Sequence, residues 1–139
     1  MTGTPSVLFV CVHNAGKSQM AAGLMKDLAG NAVQVHSAGT APGEAVNEQS
    51  AAALAELGID LTAERPKPIT DELVRGVDVV VVLGLEAQVA PVEGTRFQTW
   101  DTDEPSARGI EGLERMRLVR DDIAARVRGL ATELGVSPR

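Results

Sequence analysis

Apolar residues recur along this chain in two alternating rhythms. Val7-Leu8-Phe9-Val10 is a short unbroken apolar run, which predicts a strand covered on both faces. Ala21, Leu24, Met25 and Leu28 follow at helical spacing and share one face of a helix that Gly30-Asn31 ends. Val33-Gln34-Val35-His36 reads as a second strand, and Ser37 to Gly43 as a loop with strong turn chemistry. Asn47 is expected to cap a helix reaching Leu57, with Gly58 as its stop. Pro66 and Pro68 put Glu64 to Pro68 in a loop without regular pairing, and Thr70 with Asp71 and Glu72 opens a short helix. Asp78 to Leu83 predicts a central strand, and Arg96 to Thr99 a last one. Leu113, Met116, Val119, Ile123, Val127, Leu130 and Leu134 form the buried stripe of a long helix from about Gly112 to Leu134, with arginines and acids opposite.

Strands alternating with helices predict an open α/β sheet with right-handed crossovers, in a single domain over residues 1–139. Such sheets hold their ligands at the carboxyl ends of the strands. The loop after the first strand is therefore the place for chemistry.

Composition narrows the function. At 44% hydrophobic and 23% charged residues the chain is ordinary globular protein. No apolar run, Val79 to Leu83 included, comes near the roughly 20 residues of a membrane span. Met1 to Ser6 carries no basic residue, so no secretory signal is read there, and a cytoplasmic location is expected. A net charge of −6 argues against non-specific nucleic-acid binding, and Phe9, Phe97 and Trp100 are too few for base stacking. The single cysteine, Cys11, excludes an intramolecular disulfide and a cysteine-based zinc cage, and no metal is expected.

Cys11-Val12-His13-Asn14-Ala15-Gly16-Lys17-Ser18 joins the first strand to the first helix. Backbone N–H groups in such a turn can converge on one point, and the helix N-terminus adds a partial positive charge. Both favour a bound oxyanion and the thiolate form of a cysteine at the loop mouth. Val12, His13, Asn14, Ala15, Gly16, Lys17 and Ser18 are the predicted oxyanion-binding residues. Gly16 is expected to allow a positive φ, Asn14 to brace the loop from inside, Ser18 to donate its hydroxyl to the sulfur and Lys17 to supply a full charge. His13 has no sequence neighbour to orient it as a base and is read as a loop residue. Gly16-Lys17-Ser18 also matches the end of a nucleotide-binding P-loop. However, Cys11 replaces that motif's opening glycine, and the strand ending at Leu83 lacks a terminal Asp for magnesium. No nucleotide is expected. The pattern Cys, five residues, Arg, then Ser or Thr fits all but Lys17.

From Val7 to Ala21 the chain resembles the opening of the arsenate reductases built on the low-molecular-weight phosphatase fold. Ser37-Ala38-Gly39-Thr40 is similar to the loop after their second strand, and Trp100-Asp101-Thr102-Asp103-Glu104-Pro105 to their acid loop. The resemblance implies an open four-stranded parallel sheet flanked by helices, arsenate or phosphate bound over Cys11, and an acid before Pro that protonates the departing oxygen. Lys17 stands where the family has Arg, a point charge in place of a planar fork. Glu104 occupies the usual Asp position with Asp103 just before it, and either is a candidate acid if its pKa is raised.

The thioredoxin-linked members carry two further cysteines, and this chain has none. Tyrosine phosphatases of the fold place tyrosines after Asp-Pro, where Ser106-Ala107 stands here. A one-cysteine enzyme cannot relay electrons through its own disulfide, so the arsenic must go to an external thiol. That pattern is similar to the arsenate–mycothiol transferases of actinobacteria. It implies mycothiol as co-substrate and a mycoredoxin-like redoxin as partner, with Lys67 and Arg108 as candidate contacts for the thiol. The rival readings are a low-molecular-weight protein tyrosine phosphatase and a non-catalytic oxyanion sensor.

Overall fold

Burial of both faces of the two central strands explains their unbroken apolar runs. In a computed structural model, which describes residues 3–136, β1 (Ser6–Cys11) lies in the middle of a sheet. Val7 and Phe9 point to one face, where Val79, Val81 and Leu83 join them. Leu8 and Val10 point to the other, with Val80 and Val82. These four valines and Leu83 make up β3 (Val79–Leu83). With β2 (Gln34–Gly39) and β4 (Arg96–Trp100) the sheet has four parallel strands in the order β2-β1-β3-β4. This is the open four-stranded parallel sheet that the resemblance implied.

The first face is covered by α1 (Lys17–Ala29), α2 (Glu48–Ala55) and α4 (Gly112–Glu133). Met20 and Met25 of α1 and Val119, Ile123, Val127 and Leu130 of α4 pack there, each almost wholly removed from water. The second face is covered by α3 (Asp71–Arg75) and the segment after it, through Val74 and Val77. Asn47 and Thr70 cap α2 and α3 as expected, their side-chain oxygens accepting from Ser50 N at 3.0 Å and Leu73 N at 3.1 Å. Each cap is worth about 0.5–2 kcal/mol.

Two expectations need correction. Ser37-Ala38-Gly39 is not loop but the buried second half of β2, paired with Phe9, Val10 and Cys11. Small side chains serve here because the strand is squeezed between β1 and the segment 67–69. Gly39 N donates to Lys67 O at 2.7 Å, and Ile69 N to Gly39 O at 3.0 Å. Pro68 accordingly does pair, in a bridge to Gly39 that uses its neighbours' groups and never needs the N–H that proline lacks. The second correction is small: α2 ends at Ala55, and a tight turn leads on to Gly58, which takes φ +80°.

The arginine face of α4 is not all solvated. Arg120 is buried, giving Nη1 to Ala53 O at 2.9 Å and to Glu56 Oε1 at 2.8 Å, while Arg117 Nη2 meets Glu56 Oε2 at 2.6 Å. These bonds, Arg117's first, hold the Glu56 carboxyl down from the ordinary 4.5 to about 2. A carboxyl lowered by folding stabilises fully above its unfolded value and loses that contribution as pH falls through its folded one. Glu56→Gln is therefore expected to flatten the decline in stability between about pH 4.5 and pH 2, measured by urea denaturation at stepped pH. An unchanged acid limb would place the acid sensitivity elsewhere.

Candidate active site

β1 delivers Cys11 to the edge of the core, where the residue is only 9% exposed. The chain must then turn sharply into α1. Asn14 makes the turn, the only non-glycine residue among those described with a positive φ, at 51°. The expected positive φ at Gly16 is not observed: its φ is −127°, and what its missing side chain provides is room beside Ser50 Oγ, 3.4 Å from where a Cβ would sit.

Asn14 is fully buried and braces the loop as anticipated. Its Oδ1 accepts from Lys67 N at 2.9 Å and Gln19 Nε2 at 3.3 Å, which turns Nδ2 onto Ser18 Oγ at 2.7 Å. Ser18 Oγ, already an acceptor, has its own proton left for Cys11 Sγ at 3.0 Å. A directed relay thus runs from the Lys67 backbone through Asn14 and Ser18 to the sulfur.

The outer side of the loop explains the inner. The carbonyls of Cys11, Val12, His13 and Ala15 accept from the N–H groups of Thr40, Ala41, Gly43 and Asn47 at 3.2, 2.8, 2.9 and 2.7 Å. In a planar trans peptide the N–H points opposite to the C=O, so carbonyls held outward turn the loop's N–H groups inward. Helix α1 begins at Lys17 with no side-chain cap, leaving its first N–H groups to the same concavity. His13 donates Nδ1 to Ala41 O at 3.0 Å, a bond that fastens it to the outer segment rather than aiming it at the sulfur.

A cavity of about 530 Å³ opens over this cup. Cys11, Val12, His13, Ala15, Gly16 and Lys17 line it, whereas Asn14 and Ser18 lie beneath as its support. Its far wall is apolar, from Met20, Leu83, Met116 and Val119, interrupted by Glu86 and Arg115.

The two carboxyls of the acid loop are in an unanticipated state. Glu104 Oε2 accepts from Arg115 Nη2 at 2.7 Å and Nε at 3.0 Å, and from Ser106 Oγ at 3.1 Å, while Oε1 lies 3.5 Å from Lys17 Nζ. The Arg115 guanidinium, then Ser106 and Lys17, hold the Glu104 carboxyl below its ordinary value. Asp103 turns the other way, forked by Arg108 at 2.9 and 3.1 Å, and that arginine lowers its carboxyl too. The raised pKa that a resting acid would need is thus present at neither; both are paired carboxylates. Of the two, Glu104 faces the cup.

Lys67 and Arg108 do not line the cavity. Lys67 turns Nζ onto Arg65 O at 3.0 Å, and Arg108 is occupied by Asp103. Arg115 and Glu86 were not foreseen. Arg115 sits one residue from the buried stripe, and only the packing of α4 beside α1 brings it over a loop a hundred residues earlier. Lysine in place of arginine at position 17 is the one sequence signal that points to another guanidinium. Among the described residues no group of three or more His, Cys, Asp or Glu is placed to hold a metal ion, and no helix is long and apolar enough to cross a membrane.

A parallel sheet whose central strand ends in cysteine, with N–H groups turned inward and an uncapped helix beyond it, has the architecture of a phosphatase-type loop. The chain belongs to the low molecular weight phosphotyrosine protein phosphatase family, which residues 6–137 match. It is similar to the arsenate reductase of Halalkalibacterium halodurans, 33% identical over 90% of this chain and 94% of that one. It is also similar to the glutaredoxin arsenate reductase of a Synechocystis species, 31% identical over 92% of this chain and 97% of that one. Among solved structures, a thioredoxin-dependent arsenate reductase of Corynebacterium glutamicum superimposes with a TM-score of 0.82 at 31% identity, over 96% of this chain and 63% of that longer one. An arsenate reductase in its phosphate-binding state gives 0.81 at 31% identity, over 94% of this chain and 98% of that one.

Proposed function

We propose that this chain is an arsenate reductase of the transferase kind, passing arsenic from arsenate in the Cys11–Ser18 cup to a small external thiol, mycothiol. The observation that carries the reading is Cys11 itself: it is the only cysteine of the chain, and it forms the floor of an oxyanion cup. The named relatives supply arsenate as the oxyanion. With no second cysteine, a disulfide within the chain cannot form, so the reducing thiol must come from outside.

In the transfer, the thiol S–H bond and one As–OH bond break, an S–As bond forms, and the hydroxyl leaves with the thiol's proton as water, arsenic still pentavalent. A redoxin thiol then attacks that sulfur. An S–S bond forms, the electron pair of the S–As bond returns to arsenic, and arsenite departs. Loop N–H groups and Lys17 hold the oxyanion; Glu104, a paired carboxylate at rest, serves the departing oxygen as acid only once it has left Arg115 and taken up the proton that the attacking thiol gives up. The apolar wall of the 530 Å³ cavity gives a thiol co-substrate room beside the sulfur.

The test uses the purified chain with arsenate. Mycothiol with a mycoredoxin-type redoxin is expected to support arsenite formation, and thioredoxin with its reductase to support none. Robust thioredoxin-driven turnover without a small thiol would refute the transfer. Hydrolysis of an aryl phosphate with no arsenate turnover would instead make the chain a phosphatase, and tight phosphate binding with neither reaction would make it a sensor.

A further inference from the structure

Lys17 leaves the cup with a point charge where an arginine fork would grip two oxygens. A lone ammonium is a weak holder for a dianion in a chain of net charge −6, the more so with Glu86 lining the same cavity. A guanidinium is nevertheless present there, on another element. Arg115, in the first turns of α4, lines the cavity together with Cys11 and Lys17.

The way Arg115 is held shows what it can hold. Glu104 offers one oxygen to Arg115, at 2.7 and 3.0 Å, and the other to Lys17, at 3.5 Å. One carboxylate therefore spans the two cations. Two oxygens of a tetrahedral oxyanion are spaced much like the two of a carboxylate, so an arrangement that clasps the second can clasp the first. The pair is also only partly shielded, with Glu104 43% and Arg115 27% exposed, so an entering anion can reach it.

We infer that Arg115 is the second oxyanion-binding cation of this site, supplying from α4 the fork that the Cys11–Ser18 loop lacks, and that Glu104 is its placeholder, displaced when the oxyanion enters. The inference rests on the oxyanion reading of the cup but not on the thiol. Seated between Lys17 and Arg115, Glu104 neutralises the cavity while it is empty and keeps the guanidinium pointed inward. Arsenate or phosphate, carrying more charge than a carboxylate and gaining the loop N–H groups as well, takes both cations in its place. The displaced carboxyl is left at the cavity rim, within reach of the oxygen that must depart.

Phosphate titration by calorimetry of the full chain tests this, on Arg115→Gln, Arg115→Lys and Glu104→Gln beside the parent. Arg115→Gln is expected to weaken phosphate binding by about tenfold or more, Arg115→Lys less, and Glu104→Gln to tighten it, since a competing charge is gone. The opposite signs matter, because Arg115→Gln and Glu104→Gln break the same ion pair. A pair that merely anchored the acid loop would move both variants the same way. Equal affinity in Arg115→Gln, or Glu104→Gln unchanged or shifted in the same direction as Arg115→Gln, overturns the inference; should Arg115→Gln fail to fold, Arg115→Lys is read against Glu104→Gln by the same criterion. Arsenate turnover of the parent is measured alongside, so that failure of the Arg115 role is told apart from failure of the proposed activity.

Discussion

Cys11→Ser is expected to lower arsenate turnover on the order of 10³-fold or more while leaving phosphate affinity close to that of the parent. The two effects separate because the cup and the sulfur are built from different material. On the proposed reading, oxyanion binding comes from backbone N–H groups, turned inward by carbonyls that are fastened to the N–H groups of Thr40, Ala41, Gly43 and Asn47, and none of those bonds involves the Cys11 sulfur. A serine hydroxyl fits the same space and can still accept from Ser18, whose Oγ lies 3.0 Å from the present sulfur. What is lost is the soft, polarizable sulfur, the one thiol of the chain. Arsenite production with saturating arsenate and thiol, set beside calorimetry with phosphate, reads both quantities. A serine variant that turns over like the parent would remove Cys11 as the reactive centre. One that no longer binds phosphate would show that the loop depends on the sulfur for its shape.

The second large effect is expected from Gly39→Ala, a residue with no chemistry of its own. A Cβ at Gly39 would lie 2.7 Å from Val12 O and 3.0 Å from both Asn14 N and Asn14 Cβ. Two of these are backbone atoms of the oxyanion loop, and on its other side Gly39 is bonded through both its N–H and its carbonyl to the segment 67–69. Neither neighbour can yield without moving the cup. Overpacking of this kind costs about 1–3 kcal/mol of stability. Displacing the loop by a fraction of an ångström disorders the converging N–H groups, with a fall in turnover on the order of 10²-fold. Gly129→Ala in α4 is the matched control, because a Cβ there meets nothing within 4 Å. Urea denaturation and turnover of the two variants settle the matter. If Gly39→Ala behaves like Gly129→Ala, the loop is free to shift and is not held by β2.

These two residues mark what could and could not be read from the chain before its structure. Cys11 was legible because strand, loop and helix are contiguous there, so the cup is a local object. The central strands were legible for the same reason: both faces of β1 and β3 are covered, and their apolar runs are unbroken. Gly39 was misread, because Ser-Ala-Gly-Thr carries turn chemistry, and only the crowding between β1 and the segment 67–69 makes those small residues a strand. Gly16 was misread by a similar route. Glycine permits positive φ, but Asn14 takes it, since its buried amide is fixed on both sides by Lys67 N and Ser18 Oγ. The paired state of Glu104 and Asp103 depends on Arg115 and Arg108, and Arg115 reaches Glu104 through helix packing that no local pattern encodes.

The contact between Phe9 and Trp100 gives the molecule a built-in optical probe. Trp100 is the sole tryptophan and the chain has no tyrosine, so ultraviolet emission comes from one indole. That indole stacks at a tilt on Phe9, ring centres 5.8 Å apart, and Phe9 lies two residues before Cys11. Trp100 is also the last residue of β4, immediately before the loop that carries Glu104. Its Nε1 donates to Gln98 Oε1 at 3.1 Å, so the ring is held in one setting with its polar edge accounted for. A shift of the acid loop and a shift of the cysteine strand thus reach the same fluorophore from opposite sides. Anion entry and departure can be timed on the unlabelled protein, in a stopped-flow instrument, without a chromogenic substrate.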